Sequence, residues 1–545
     1  MSEDTSVVRE RQGDQGVWDR EAWIAGYNTP REEQAVAIQV ENLPEDIRGT
    51  YYRNGPGLFE VAGDRYQHPF DCDGMVLALS FVGNSTVHFR NRFVRTQSFQ
   101  KEKRAGKRLF PGSFGNARPF WANGLSRANR ANTNAVHWGG RLLALWEGGQ
   151  PYKLDPISLG TAGATDLLGM IKPSQSMTAH PRVDSSTNRL VGFGYDPSPV
   201  SQTTSLRIFE FDEEFRPLGD ALELTVPAAA FFHDFVVTKN YYVFTLSPIQ
   251  FDVGLDALLG GKPIGQCLRF DESKPTSFLF VPRGASAEGQ FMVDVDTHFN
   301  FHYANAYEDD TGRVVIDTVR ADRLELGGNV NKDDPPLWET TVFEEEVPQS
   351  LLYRYVVNPS TRTVEDRRPL TDRSADFPVV NSRVSCQRHR YVYMTCGASS
   401  TSSSPPQGML KVDVDDPDAT QVWLPPPGEF CGEPTFIPRQ DSQAEDDGYV
   451  VTVITRGKED ADLALFDARR IADGPICRAS LGTNVPHGLH GCWAPDVQPS
   501  LDDIRNAGVL LRMFERKSKE WNQVEGAFSG LGIAQFFGQK GVDGR

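Results

Sequence analysis

Histidines offer the first chemistry in this 545-residue chain. Ten occur: His68, His88, His137, His180, His233, His298, His302, His389, His487 and His490. An imidazole can ligate a metal, move a proton or simply fill a satisfied position on a strand, and the last role is the commonest for any single histidine. Four differ by their surroundings. His180 stands in SMTAHPR, His233 in AFFHDF, His302 in NFHYANAY and His490 in GLHGCWAP, each beside aromatic or turn-forming residues. They come from four distant stretches of chain. A propeller could bring such distant positions to one axis.

The elements that would do so are strands. Helical periodicity is scarce through the middle of the chain, whereas short β-branched and aromatic runs bounded by Gly, Pro, Asn and Asp are abundant. A loose repeat appears among them: VLALSF around Leu79, PYKLDP around Leu154, LRIFEFD around Phe209, TSFLFVPR around Leu279, LLYRYVVNP around Tyr355, MLKVDVDDP around Val412 and LALFDARR around Leu465. Seven such strands, roughly 50 to 75 residues apart, fit one strand per blade of a seven-bladed β-propeller. The same punctuation occurs in any large all-β enzyme, so the repeat by itself leaves both architectures open. Near the C-terminus the pattern changes: DDIRNAGVLLRMFERKSKEW carries Ile504, Val509, Leu510 and Phe514 at helical spacing and leads into a Gly-rich end.

Composition removes several function classes. The formal charge of −17, with no basic stripe, disfavours nucleic acid. Seven scattered cysteines without a C-x-x-C pair suggest neither a disulfide framework nor a zinc ribbon, which points to a reducing, cytoplasmic compartment. The first residues lack an apolar leader core, and no run of about 18 apolar residues is present.

Nine strings taken together carry a family resemblance. RGTYYRNGPG, HPFDCDGM, ANTNAVHWGGRLLALWEGGQPYKLDP, TAHPR, HDF, FHYANAYE, ADFPVV, FCGEPTFIP and LHGCW follow one another in the order of the carotenoid cleavage oxygenase motifs, over roughly residues 20 to 495. The chain resembles most the cyanobacterial apocarotenoid oxygenase branch. The resemblance implies an all-β fold, a seven-bladed β-propeller with a helical or loop dome over an axial metal site. On that basis residues 1–20 form a flexible N-terminus, 21–497 the propeller domain and 498–545 a C-terminal helix and tail.

Carried over motif by motif, the implied metal ligands are His180, His233, His302 and His490, holding one Fe(2+) per chain. Three carboxylates are implied behind them: Glu147 of WEGGQP, Glu433 of CGEP, and Asp376 of ADFPVV, where the family has a glutamate. Such partners fix ligand rings and raise their basicity. Thr133 matches a position beside an open coordination site, although its surroundings also suit a local turn. Trp146, Phe231, Phe301 and Phe377 are expected to line the substrate tunnel; ordinary core packing accounts for each ring as well.

The implied chemistry balances. Cleaving C=C into two carbonyls removes four electrons and O2 accepts four, so no organic cofactor is needed. Four neutral imidazoles leave an octahedral ion two open positions, whereas zinc favours a closed tetrahedron and passes no electrons. The expected partners are therefore O2 and an apolar polyene, an apocarotenal or apocarotenol giving retinal among its products. A full-length carotenoid or a stilbene cut at another bond is the second reading, and a non-catalytic propeller scaffold a remote third. Stilbene-cleaving members carry a lysine where this chain has Trp146. Because polyenes dissolve in membranes, peripheral membrane contact is expected through FPGSFGNARPFWANGL (Phe120, Trp121) or LDALLGG (Leu255, Leu258, Leu259), if these are not buried anchors.

Overall fold

The computed structural model describes residues 17–507 apart from 32, 119–127, 199, 253, 255, 256, 258, 285, 328–333 and 501. Seven antiparallel sheets of four to six strands form a seven-bladed propeller, with two short two-stranded ribbons beside them. We number the blades I to VII. Their innermost strands are Gly491–Ala494, Asn134–Trp138, Arg182–Asp184, Val236–Val237, Tyr303–Glu308, Ala375–Val379, and the pair Phe430–Cys431 and Thr435–Pro438, which together occupy the inner position of blade VII. Blade I joins the two ends of the chain: Gly49–Arg53 pairs with Gly491–Ala494, placing Tyr51 opposite Trp493.

The seven sequence repeats fall at one structural position. Leu79, Leu154, Phe209, Leu279, Tyr355, Val412 and Leu465 each lie on the third strand out from the axis of a different blade. That strand lies between neighbouring blades, and where both of its faces are covered it is buried along its length instead of at alternate positions. Strand Asp73–Gly83, for example, is buried at every position except Val82.

The core is divided accordingly. Seven hydrophobic clusters each fill one junction between adjacent blades, such as Tyr51 and Leu79 against Val451 and Leu463 where blade I meets blade VII. Phe193 and Leu206 meet Phe235 and Phe244 between blades III and IV. Each fully buried side chain of this size contributes about 1.5–3 kcal/mol, and no single centre holds the molecule.

Connections at the end where the inner strands begin are long, and they make the dome. They comprise the described residues between Phe93 and Asn134, Leu246 and Thr276, and Ala321 and Ser350, together with 54–72. Helix Gln97–Ala105 lies in the first, capped by the Thr96 hydroxyl and ended by left-handed Gly106. These insertions hold one another: His68 Nε2 donates to Leu326 O at 3.1 Å, the Leu337 amide to Gln67 O at 2.8 Å, and the Gly265 amide to Ser113 O at 2.7 Å. Among the described residues no helix is long and apolar enough to cross a membrane. Residues 502–507 are helical, and Val509, Leu510 and Phe514 of the C-terminal pattern lie outside the described residues. So do Phe120, Trp121, Leu255 and Leu258, while Leu259 is exposed.

Candidate metal centre

Every blade presents one residue at the start of its inner strand: His490, Thr133, His180, His233, His302, Asp376 and Glu433, for blades I to VII in turn. Parallel inner strands bring these starts to the same end of the axis. The four histidines meet there, each offering a ring nitrogen within 4.8 Å of the other three. Ring centroids lie 4.5 Å apart for His180 and His233, 4.3 Å for His180 and His490, 5.2 Å for His233 and His302, and 4.9 Å for His302 and His490.

Three rings are oriented from behind by carboxylates. His233 Nδ1 donates to Glu147 Oε2, His302 Nδ1 to Asp376 Oδ1 and His490 Nδ1 to Glu433 Oε1, each at 2.7 Å. Glu433 is itself fixed by the Gly491 amide at 2.8 Å. Among the described residues His180 has no such carboxylate, and its Nε2 lies 2.9 Å from His233 Nε2. A proton committed at Nδ1 leaves a lone pair at Nε2. Three such lone pairs therefore face a shared space, and buried His302 Nε2 has no protein partner at all. A buried lone pair at His302 Nε2 that meets no protein donor, beside three more imidazoles, fits a bound cation, and an all-imidazole set suits a transition metal.

Electrostatics favours the neutral ring at His180 and His490. Burial, and then the neighbouring imidazoles, hold His180 well below the usual histidine range. For His490, burial outweighs the Glu433 charge and the result is again a lowered pKa. At His302 burial works in the same sense, but the Asp376 carboxylate overcomes it and the pKa is raised.

Asp376 reaches His302 although it is one methylene shorter than glutamate, because the backbone bends. Pairing of Ala375–Val379 with its neighbour shifts register between Asp376 and Val379, and Phe377 takes φ 56°, the left-handed region that a bulky residue rarely occupies. The Phe377 amide returns a 2.8 Å bond to Asp376 Oδ1. Its ring then covers His302 at 5.4 Å and His490 at 5.3 Å.

The remaining sequence candidates also gather here, with one exception in orientation. Thr133 is buried and its carbonyl accepts the His490 amide at 3.0 Å. Phe301 meets His233 edge-on at 5.3 Å. Phe231 and Phe301 both pack on Phe299, at 6.3 and 4.6 Å. Trp146 instead folds its indole over its own turn: a Cβ on Gly148 would stand 2.5 Å from the ring, which is why glycine follows the tryptophan–glutamate pair. Sequence reasoning missed Phe299, which no motif marks, and the amides that tie the site's loops. Asn54 Nδ2 donates to Ala131 O and Asn134 O, and Asn134 Nδ2 to Ala179 O at 2.7 Å. Both sit inside quoted motifs, RGTYYRNGPG and ANTNAVHWGGRLLALWEGGQPYKLDP, which was the available signal.

A propeller with four axial imidazoles, backed by three carboxylates and flanked by aromatic rings, defines a class of metalloenzyme. The particular family follows from comparison: residues 27–495 match the family model described as Retinal pigment epithelial membrane protein, and the chain belongs to this carotenoid oxygenase family. It is 37% identical over 486 residues to apocarotenoid-15,15'-oxygenase of Synechocystis, covering 87% of this chain and 96% of that protein. Isoeugenol monooxygenase of Pseudomonas nitroreducens is 29% identical, covering 83% of this chain and 93% of the relative. Among solved structures, cobalt-substituted Synechocystis apocarotenoid oxygenase superimposes with a TM-score of 0.82 at 35% identity, over 88% of this chain and all of that one. The protein is thus an oxygenase with a four-histidine site that fits a metal.

Proposed function

We propose that this chain is an iron(II)-dependent oxygenase that cleaves a C=C bond of an apocarotenoid with O2, with His180, His233, His302 and His490 as the ligands. The convergence of those four rings carries the proposal. When bound, iron(II) supplies a centre that activates O2 and exchanges electrons with it, which zinc does not. Glu147, Asp376 and Glu433 keep the Nδ1 protons and so hold each Nε2 inward. Thr133, held against the His490 backbone, limits access to one side of the centre. Phe231, Phe301 and Phe377 form apolar walls that hold a flat polyene, exclude water and face developing positive charge with aromatic surface. The net reaction, one alkene and one O2 to two carbonyls, balances atoms and electrons without a further reductant.

Substrate class rests on two observations. The relative named for an apocarotenoid substrate is 37% identical, against 29% for one named for isoeugenol and 28% for one named lignostilbene-alpha,beta-dioxygenase; and Trp146 occupies the position where stilbene-cleaving members carry lysine. The test is product mass after incubating iron-loaded protein with apocarotenals of several lengths, isoeugenol and a hydroxystilbene. Retinal-sized aldehyde from the apocarotenals is expected. Turnover of the phenols alone would replace the substrate assignment, and protein that takes up no iron would leave a scaffold. Peripheral membrane contact near Leu259 belongs to the same reading, and flotation of the protein with liposomes checks it.

A further inference from the structure

We propose that Arg182 and Asp234, two residues outside the ligand and carboxylate sets, form a clasp that positions three of the four histidines. The inference rests on the metal-centre reading above and goes beyond it. Within a blade, ladder hydrogen bonds fix each strand. Between blades the contacts are mainly side-chain packing, which leaves the spacing of neighbouring ligand loops to whatever ties them at the axis.

At blades III, IV and V two side chains provide that tie. Arg182 lies two residues after His180, Asp234 one after His233, and Tyr303 one after His302. The Asp234 carboxylate, 1% exposed, accepts the Phe235 amide at 2.7 Å through Oδ1, the Tyr303 amide at 2.8 Å through Oδ2, and Arg182 Nη2. The Arg182 guanidinium donates from Nε to Phe235 O and from Nη2 to Tyr303 O, each at 2.9 Å. Both backbone groups of Phe235 and both of Tyr303 are thereby held by one carboxylate–guanidinium pair, anchored just beyond His180. The planar fork of arginine is what reaches two carbonyls and a carboxylate together; an ammonium has no such geometry. The pair is neutral as a unit, and Arg182→Lys, which keeps that neutrality, isolates the effect of spacing from that of charge.

Cobalt(II) titrated into the metal-free full-length chain against a competing chelator, with the absorption spectrum followed, tests this. Arg182→Lys keeps the charge and Asp234→Asn the volume, while Arg189→Lys, at a half-exposed ion pair with Glu210 on the same blade, is the control. The clasp predicts a 10- to 100-fold weaker cobalt affinity, the range found when groups behind metal ligands are changed, together with an altered cobalt spectrum. Both effects should appear in Arg182→Lys and Asp234→Asn and in neither the wild type nor the control. Unchanged affinity and spectrum in whichever of the two variants folds overturns it. So does lowered thermal stability with cobalt affinity intact, which is the signature of plain structural glue. Wild-type protein that binds no cobalt removes the metal-centre reading as well, and is distinguished by appearing without any substitution.

Discussion

Glu433 illustrates how much one residue does at this centre: its two oxygens hold His490 Nδ1 and the Gly491 amide at 2.7 and 2.8 Å. In Glu433→Gln one of those acceptors becomes an NH2 facing a donor. Metal affinity should fall by about 10- to 100-fold, measured by chelator competition, with the fold retained. Histidines away from the centre have a different consequence. His68 and His298 are buried, and burial, only partly offset by their backbone bonds, brings each down to about 4. Unfolded, both titrate near the ordinary 6.5. Below that pH the unfolded chain binds more protons, so stability is full above about 6.5 and declines as pH falls toward 4, by up to ~1.4 kcal/mol per pH unit for each ring. Denaturant midpoints of the metal-free chain across this window check the slope, and His298→Gln should make it shallower.

At the scale of elements, the bend in Ala375–Val379 matters most. A left-handed backbone costs a residue with a Cβ about 1–2 kcal/mol, and Phe377 bears that cost where Asp376 must reach His302. Phe377→Ala and Phe377→Gly both lose the ring, but only glycine relieves the backbone. The glycine variant should therefore be the more stable by ~1 kcal/mol in urea denaturation, reversing the usual order of these two residues in a strand. Sequence patterns indicated this element only as ADFPVV. Local bulge geometry is set by pairing with Tyr391–Gly397, and no periodicity within five residues encodes its partner's register.

For the whole molecule, closure and junction packing decide stability. Leu79 is fully buried between blades I and VII, so Leu79→Ala should cost about 2–5 kcal/mol, read from a lowered thermal midpoint. Gly491–Ala494 closes the ring against Gly49–Arg53. A chain ending at residue 489 loses that strand and exposes an unpaired edge, so it should lack the native circular dichroism transition and aggregate.

The sequence by itself determined the strand-rich class, the seven-fold repeat at Leu79, Leu154, Phe209, Leu279, Tyr355, Val412 and Leu465, and the identity of the histidines worth following, because burial pattern and turn chemistry are local properties of a chain. Family motifs extended this to the three carboxylates. Only the tertiary structure decided that the starts of seven inner strands share one end of the axis, that Asp376 reaches its histidine through a strained bend, that Trp146 turns back on its own glycines, and that Arg182 and Asp234 grip two neighbouring backbones. Those are relations between residues from different blades, or conformations imposed by a partner strand, and such distances are set by packing across the ring.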